Sequence, residues 1–414
     1  MRTRLLLLAA IAIAALPAPA RAAAPVVSLT FDDAVDVAAP VTATLPPLRA
    51  TFYLNSDNIG VSGGLSLGAI QQLAAAGDEI GGHTANHLDL ARIEDPVELR
   101  REACWDRKQL SILPRGDGSG GTLDIMSFAY PNGDYAWPDD SGDPHVIDLI
   151  SGTAAPGPAF GGCAYSSARA VGGVLPTKPC LSATVDTACV LKGLPALPFA
   201  DPQQRFRIPT PSSIDGANGS ARFATLRNWV SAAERAGAAG GASSPWLVLV
   251  LHDVCDPPAD PAAPCPGRHA IRADDLATLA TYLKAEQAAG RLAVRTVTGA
   301  LDSAYGTVTR ERPLGLDAVP TPTAQARVVN GAMDADTPIG LATTGDGRPD
   351  CFDVSNEQAP VTRARLRQAD GTVGWVARLD VPRGESQRFT VRHDLGGCAV
   401  GVTAGRRYRL SVSY

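Results

Sequence analysis

The chain has 414 residues, enough for two domains or three. Its net charge is −5 and no long run of like charge occurs, which argues against nucleic acid as a main partner and leaves no polybasic membrane signal. With 45% hydrophobic residues it can fill a sizeable core, and 41 glycines and 33 prolines predict many ordered loops.

Residues 1–22 read as a signal peptide. A basic start, Met-Arg-Thr-Arg, leads into an apolar run from Leu5 to Leu16. Small residues then offer cleavage sites after Ala20 or Ala22. The run is too short to cross ~30 Å of hydrocarbon. The expected product is secreted, extracellular or in the cell envelope, with no membrane association after cleavage. The eight cysteines fit that compartment. None lies in a Cys-x-x-Cys pattern, so structural disulfides are expected. Nearest-neighbour pairing would join Cys180 to Cys189 and Cys255 to Cys265. Cys104 with Cys163, and Cys351 with Cys398, would remain.

From residue 26 to about 301, strand-like and helix-like stretches alternate. The strand-like runs are "VVSLTF", "ATFYLN", "MSFAYP", "WLVLVLH" and "LAVRTV". Between them, "SLGAIQQLAAAG" begins on a Ser cap and stops at Gly77. "DPVELRREACWDRKQLSIL" carries apolar residues at helical spacing, and "RADDLATLATYLKAEQAAG" opens on acids and stops at Gly290. Such alternation predicts an α/β fold with a parallel sheet or an α/β barrel. Chemistry in these folds collects at the C-terminal ends of the strands. Residues 302–323 lose the pattern and read as a linker. Residues 324–414 hold short strands separated by turn residues and read as a small, incomplete antiparallel β-sandwich.

The chain has six histidines. His83 and His87, four apart in "GGHTANH", would share one side of a helical turn. His252 closes the apolar run "WLVLVLH". Asp32 and Asp33 close the first strand, where alternation along a strand would turn them to different sides. Taken singly, each of these features is ordinary. Together they describe a metal centre. Two imidazoles and one carboxylate suit Zn²⁺ with an open position for water. A second carboxylate beside it can take that water's proton.

The segments "LTFDDA", "GGHTANH", "FAYPNGDY", "YSSARAVGG" and "LVLVLHD" resemble, in order and spacing, the motifs of polysaccharide deacetylases, the NodB-homology enzymes of carbohydrate esterase family 4. The resemblance covers about residues 26–301. It implies a distorted (β/α) barrel, with Asp32 as catalytic base and His252 as general acid. Asp33, His83 and His87 would hold Zn²⁺ or another divalent ion such as Co²⁺. The family's third motif often supplies an arginine. Here that stretch reads Ala129-Tyr130-Pro131-Asn132-Gly133, and Arg169 of "YSSARAV" is the expected substitute, paired with Asp32. The backbone N–H of Asn132 would be the oxyanion donor.

The implied activity is removal of N-acetyl groups, as acetate, from an amino-sugar polymer of the chitin, peptidoglycan or poly-N-acetylglucosamine kind. The implied partner is therefore an acetylated polysaccharide. The alternatives are an O-acetyl esterase on xylan or a related polymer, and a non-catalytic glycan-binding protein. Tyr135, Trp137 and Tyr165 are candidates for stacking on sugar rings. Arg207, His145, His269 and His393 read as structural or surface residues, and the C-terminal segment as a carbohydrate-binding-like module.

Overall fold

The computed structural model describes residues 24–306, apart from 34, 61–62, 94–98, 136–144, 153–162, 216–221, 240–242, 257–264 and 266–268, together with four strand segments nearer the C-terminus.

The first strand, β1 (Val26–Phe31), is buried at every position. That is the signature of a strand with parallel neighbours and both faces covered. It is followed by β2 (Thr51–Leu54), β3 (Glu79–Gly82), β4 (Ser127–Ala129) and β5 (Ser167–Gly173). A small hairpin, β6 (Leu175–Pro176) with β7 (Leu191–Lys192), precedes β8 (Ala196–Leu197), β9 (Ile208–Thr210) and β10 (Ser244–Leu251). β11 (Asp253–Cys255) pairs with β12 (Ala270–Arg272), and β13 (Ala293–Val294) joins β1.

The main sheet runs β8-β10-β1-β2-β3-β4-β5-β9. Every adjacent pair from β10 to β9 is parallel, and β8 lies antiparallel to β10. Beyond β9 the chain turns back, and the Ile214 N–H donates to the Val250 carbonyl of β10 at 2.9 Å. The sheet therefore curls into a distorted (β/α) barrel. Its core is apolar. Leu29, Phe31, Phe52 and Leu54 are buried, and Phe31 stacks on Phe52 with centroids 5.1 Å apart.

The helices cover the outside. Helix Leu67–Ala76 starts where Ser66 accepts the Ala69 N–H, and it ends at Gly77, whose φ of 96° suits glycine. Helix Ala273–Ala288 has Asp274 and Asp275 in its first turn, facing the positive end of the helix dipole. A third long helix, Phe223–Ala238, carried no marked signal in the sequence, yet it buries Leu226, Trp229 and Val230.

Two expectations change at the end of the barrel. "LAVRTV" contributes strand only at Ala293–Val294, because the Thr296 hydroxyl caps the next helix by accepting the Gly299 N–H. That helix, Val297–Tyr305, passes residue 302, so the change of character read there falls inside its last turns.

Among the described residues there are three disulfides: Cys104–Cys163, Cys180–Cys189 and Cys255–Cys265. Cys351 and Cys398 lie outside the described residues, as do the signal segment and the linker beyond residue 306. The four distal strands, β14 (Phe352–Val354), β15 (Val361–Arg367), β16 (Val373–Leu379) and β17 (Phe389–Val391), form two antiparallel pairs, β14 with β17 and β15 with β16. Among the described residues, no helix is long and apolar enough to cross a membrane.

Candidate active site

The barrel's parallel register brings several polar side chains to one end. Phe31 of β1 is level with Leu251 of β10, so Asp32 and His252 leave the sheet side by side. The Asp32 N–H donates to the Leu251 carbonyl at 2.9 Å. Leu54 of β2 is level with Gly82 of β3, and the His83 N–H donates to the Leu54 carbonyl at 3.0 Å.

Asp33 faces both imidazoles. Its Oδ1 lies 3.2 Å from Nε2 of His83 and 3.2 Å from Nε2 of His87. The three potential ligand atoms lie within 4.8 Å of one another, and no other such group occurs among the described residues. The donor set fits a divalent cation on a specific observation. His83 Nδ1 lies 2.8 Å from the Ala129 carbonyl, which can only accept, so Nδ1 carries the proton and Nε2 presents its lone pair. Asp33 Oδ1 is buried with no well-directed hydrogen-bond donor. Two imidazole Nε2 atoms converging on one carboxylate oxygen are a donor set that suits a cation.

The charges agree. Burial works against the ionised Asp33, yet the His83 contact and the charges of His83, His87 and His252 hold its carboxyl well below the usual carboxylate range. Burial also opposes the His83 imidazolium, but Asp33 and Asp32 outweigh it and keep the pKa above the ordinary value. Burial, followed by the charge of His83, pushes His87 down to about 4, so its imidazole is neutral at pH 7 and able to ligate.

The loop geometry corrects two sequence expectations. His83 and His87 do not share a helical turn. They sit on an irregular loop in which Thr84 and His87 both have φ of 65°. Nor does strand alternation separate Asp32 from Asp33. Both lie beyond the end of β1, and Asp33 has φ of 70°. Left-handed backbone is unfavourable for side chains other than glycine. Buried polar groups hold the histidine loop in place. The Asn55 amide donates to the carbonyls of His83 and Thr84. Glu102, in a π-helical turn, accepts from the Asn86 N–H at 3.1 Å. Asp106 accepts the N–H of His83 at 3.2 Å and of Ser56 at 2.9 Å, and burial pushes its carboxyl up to about 7. Sequence reading assigned nothing to Asn55, Glu102 or Asp106. Their signal was only that they are polar residues in otherwise apolar stretches.

Asp32 has a partner that Asp33 lacks. It is buried, and its Oδ1 accepts from Nη2 of Arg169, which is itself wholly buried. The Arg169 guanidinium also lies over the Tyr53 ring, 4.8 Å from its centroid. His252 Nε2 stands 3.9 Å from Asp32 Oδ2 and 3.9 Å from Asp33 Oδ2. Burial lowers the His252 pKa despite both carboxylates.

Asn132 occupies the turn Pro131–Gly133 directly after β4, with φ of 58°. That turn adjoins Ala129, whose carbonyl holds His83. Tyr135 is partly buried against Tyr130. Tyr165 is a correction: only 2% exposed, it donates its hydroxyl to the Ala103 carbonyl and has no face for a sugar. Trp137 lies outside the described residues, as does His393. Arg207 makes a surface ion pair with Asp201 at 3.0 Å. His269, which carried no site signal, packs its ring on that of His252.

Residues 20–140 match the family model described as polysaccharide deacetylase. The similarity to that family lies in the segment that carries most of the candidate site. The matched span includes Asp32, Asp33, His83, His87 and Asn132. No curated protein matches the chain. Among solved structures, it is similar to a polysaccharide deacetylase from Bacillus cereus, at 18% identity over 44% of this chain and 45% of that one, with a TM-score of 0.29. It is also similar to the chitin deacetylase of the fungal pathogen Colletotrichum lindemuthianum, at 16% identity over 71% and 92%, with a TM-score of 0.35. An allantoinase matches at 10% identity over 70% and 94%, with a TM-score of 0.36. The chain thus spans less than half the length of the first of these structures. Likenesses this distant do not bear on substrate.

Proposed function

We propose that this protein is a secreted, metal-dependent polysaccharide deacetylase that hydrolyses N-acetyl groups of an amino-sugar polymer and releases acetate. One observation carries the reading: Asp33 faces two imidazoles while its neighbour Asp32 pairs with a buried arginine, and His252 stands between the two carboxylates. The three disulfides and the basic-apolar-small N-terminal pattern support secretion.

Asp33, His83 and His87 would hold a divalent ion such as Zn²⁺. When bound, such an ion polarises a carbonyl and makes water acidic. The remaining work falls to the chain's own residues. Arg169 keeps Asp32 ionised and fixes its orientation, leaving Oδ2, 3.9 Å from His252 Nε2, to take a proton from attacking water. The Asn132 N–H is assigned to the developing oxyanion. His252 donates a proton to the departing nitrogen, because an amide anion is a poor leaving group. Its lowered pKa makes it a ready donor once protonated.

The test is acetate release from chitin oligomers, peptidoglycan and acetylated xylan, with and without a chelator. Chelator-sensitive release from an N-acetylated polymer supports the proposal. Release from xylan alone makes the protein an O-acetyl esterase. No release from any of them, with zinc bound, makes it a glycan-binding protein.

A further inference from the structure

A general acid is effective only when its ring is held in one orientation, and such a histidine ordinarily has its second nitrogen gripped by a carboxylate or carbonyl. His252 has no such grip. Its Nδ1 is buried and has no hydrogen-bond partner among the described residues. Beside its ring lies another imidazole. The His269 ring packs on it with centroids 5.1 Å apart and planes 34° apart.

Three features place His269 there. Asp253, next to His252, donates its N–H to the His269 carbonyl at 3.4 Å, and β11 and β12 pair Asp253 with Ala270. The Cys255–Cys265 disulfide ties together the ends of the intervening loop. His269 Nδ1 lies 3.6 Å from Oδ2 of Asp215, a carboxylate 8% exposed, a charge contact too long for a hydrogen bond. Asp215 follows Ile214, whose N–H is fixed on Val250 of β10 at 2.9 Å. The backbone of His269 is left-handed, with φ of 59°. That conformation is costly for histidine and persists only where the surroundings impose it.

We propose that His269, held by the pairing of β11 with β12 and facing Asp215, is a positioning residue that fixes the plane of the His252 imidazole for proton delivery to the leaving nitrogen. This rests on the deacetylase reading. As the C–N bond breaks, its electron pair goes to nitrogen, which takes the His252 proton. The role matters in proportion to how badly the leaving group needs that proton.

The experiment uses the full zinc-loaded chain and the variants His269→Ala, His269→Phe and Asp215→Asn. Each is assayed on an N-acetylated chitin oligomer and on 4-nitrophenyl acetate, whose phenolate leaves without protonation. The His252 ring is followed separately, in crystals and by nitrogen-15 NMR. His269→Ala is expected to lower kcat on the oligomer about 10- to 100-fold with little change in KM, and to lose far less on the aryl ester. Its His252 ring should take a second orientation. His269→Phe should recover much of the loss by restoring the packing face, and Asp215→Asn should fall between. Equal losses on both substrates, or an unmoved His252 ring in His269→Ala, would overturn the proposal. If the wild-type chain cleaves the aryl ester and no acetamide, it is the deacetylase reading that fails, and the ring orientation alone then decides the role of His269.

Discussion

Arg169 of β5 and Asp32 at the end of β1 form an ion pair in which both side chains are almost fully buried, at 0% and 2% exposure. Three strands separate β1 from β5 in the sheet, so the two can meet only across the inside of the curl. Removing one partner of such a pair leaves the other charge buried and uncompensated, at a cost of about 3–5 kcal/mol. Arg169→Met should therefore lose stability on that scale in urea unfolding, and Asp32→Asn combined with Arg169→Met should regain a large part of it. A single-variant loss below about 1 kcal/mol would mean that water or another cation reaches Asp32.

The two adjacent carboxylates should separate by assay. Asp32→Asn keeps shape but cannot take a proton, so kcat should fall by about 10²–10⁴-fold while zinc stoichiometry stays the same. Asp33→Ala removes the atom that lies 3.2 Å from both imidazoles, so zinc affinity itself should collapse. Isothermal titration with zinc distinguishes the outcomes. Zinc loss in Asp32→Asn would show that the two roles are exchanged.

Much of this site could be read from residue types and their order. The strand-end positions of Asp32, Asp33 and His252 follow from apolar runs that stop abruptly, and the Arg169–Asp32 partnership was expected from a motif in which the usual arginine is absent. The shape of the ligand loop was not legible. Spacing of four suggested a helical turn, yet left-handed residues at Thr84 and His87, held by Asn55, Glu102 and Asp106, make the convergence. Those contacts join residues far apart in the chain, and local periodicity carries no trace of them. His269 escaped notice for the same reason: its place depends on a strand pairing and a disulfide.

Gly82 should tolerate no side chain. A Cβ there would meet the Tyr165 hydroxyl and ring and would lie 3.0 Å from Asp106 Oδ2. Both neighbours are buried, and the next residue is His83. Gly82→Ala should destabilise the fold by about 1–3 kcal/mol through overpacking. It should also weaken zinc binding, because Asp106 holds the His83 N–H. Paired thermal melts and zinc titrations check this, and an unchanged zinc affinity would mean that the strain relaxes away from the loop.

Asp78 provides a test by pH, away from the candidate active site. Burial raises its carboxyl from 3.8 to about 6, against the Ala50 N–H that it accepts at 2.9 Å and the nearby Arg49 charge. Between those two values the folded chain keeps a proton that the unfolded chain has released. The folded state therefore binds more protons in that window, and stability falls as pH rises from about 4 to about 6, remaining lowered above it. A shift of this size corresponds to roughly 2–3 kcal/mol. Asp78→Asn keeps an acceptor for Ala50 and removes the ionisation. It should leave stability at pH 4 nearly unchanged, flatten the fall between pH 4 and 6, and raise stability at pH 8 by roughly 1–2 kcal/mol. Urea unfolding at the three pH values decides it. An equal gain at pH 4 and pH 8 would place the effect in packing rather than in charge.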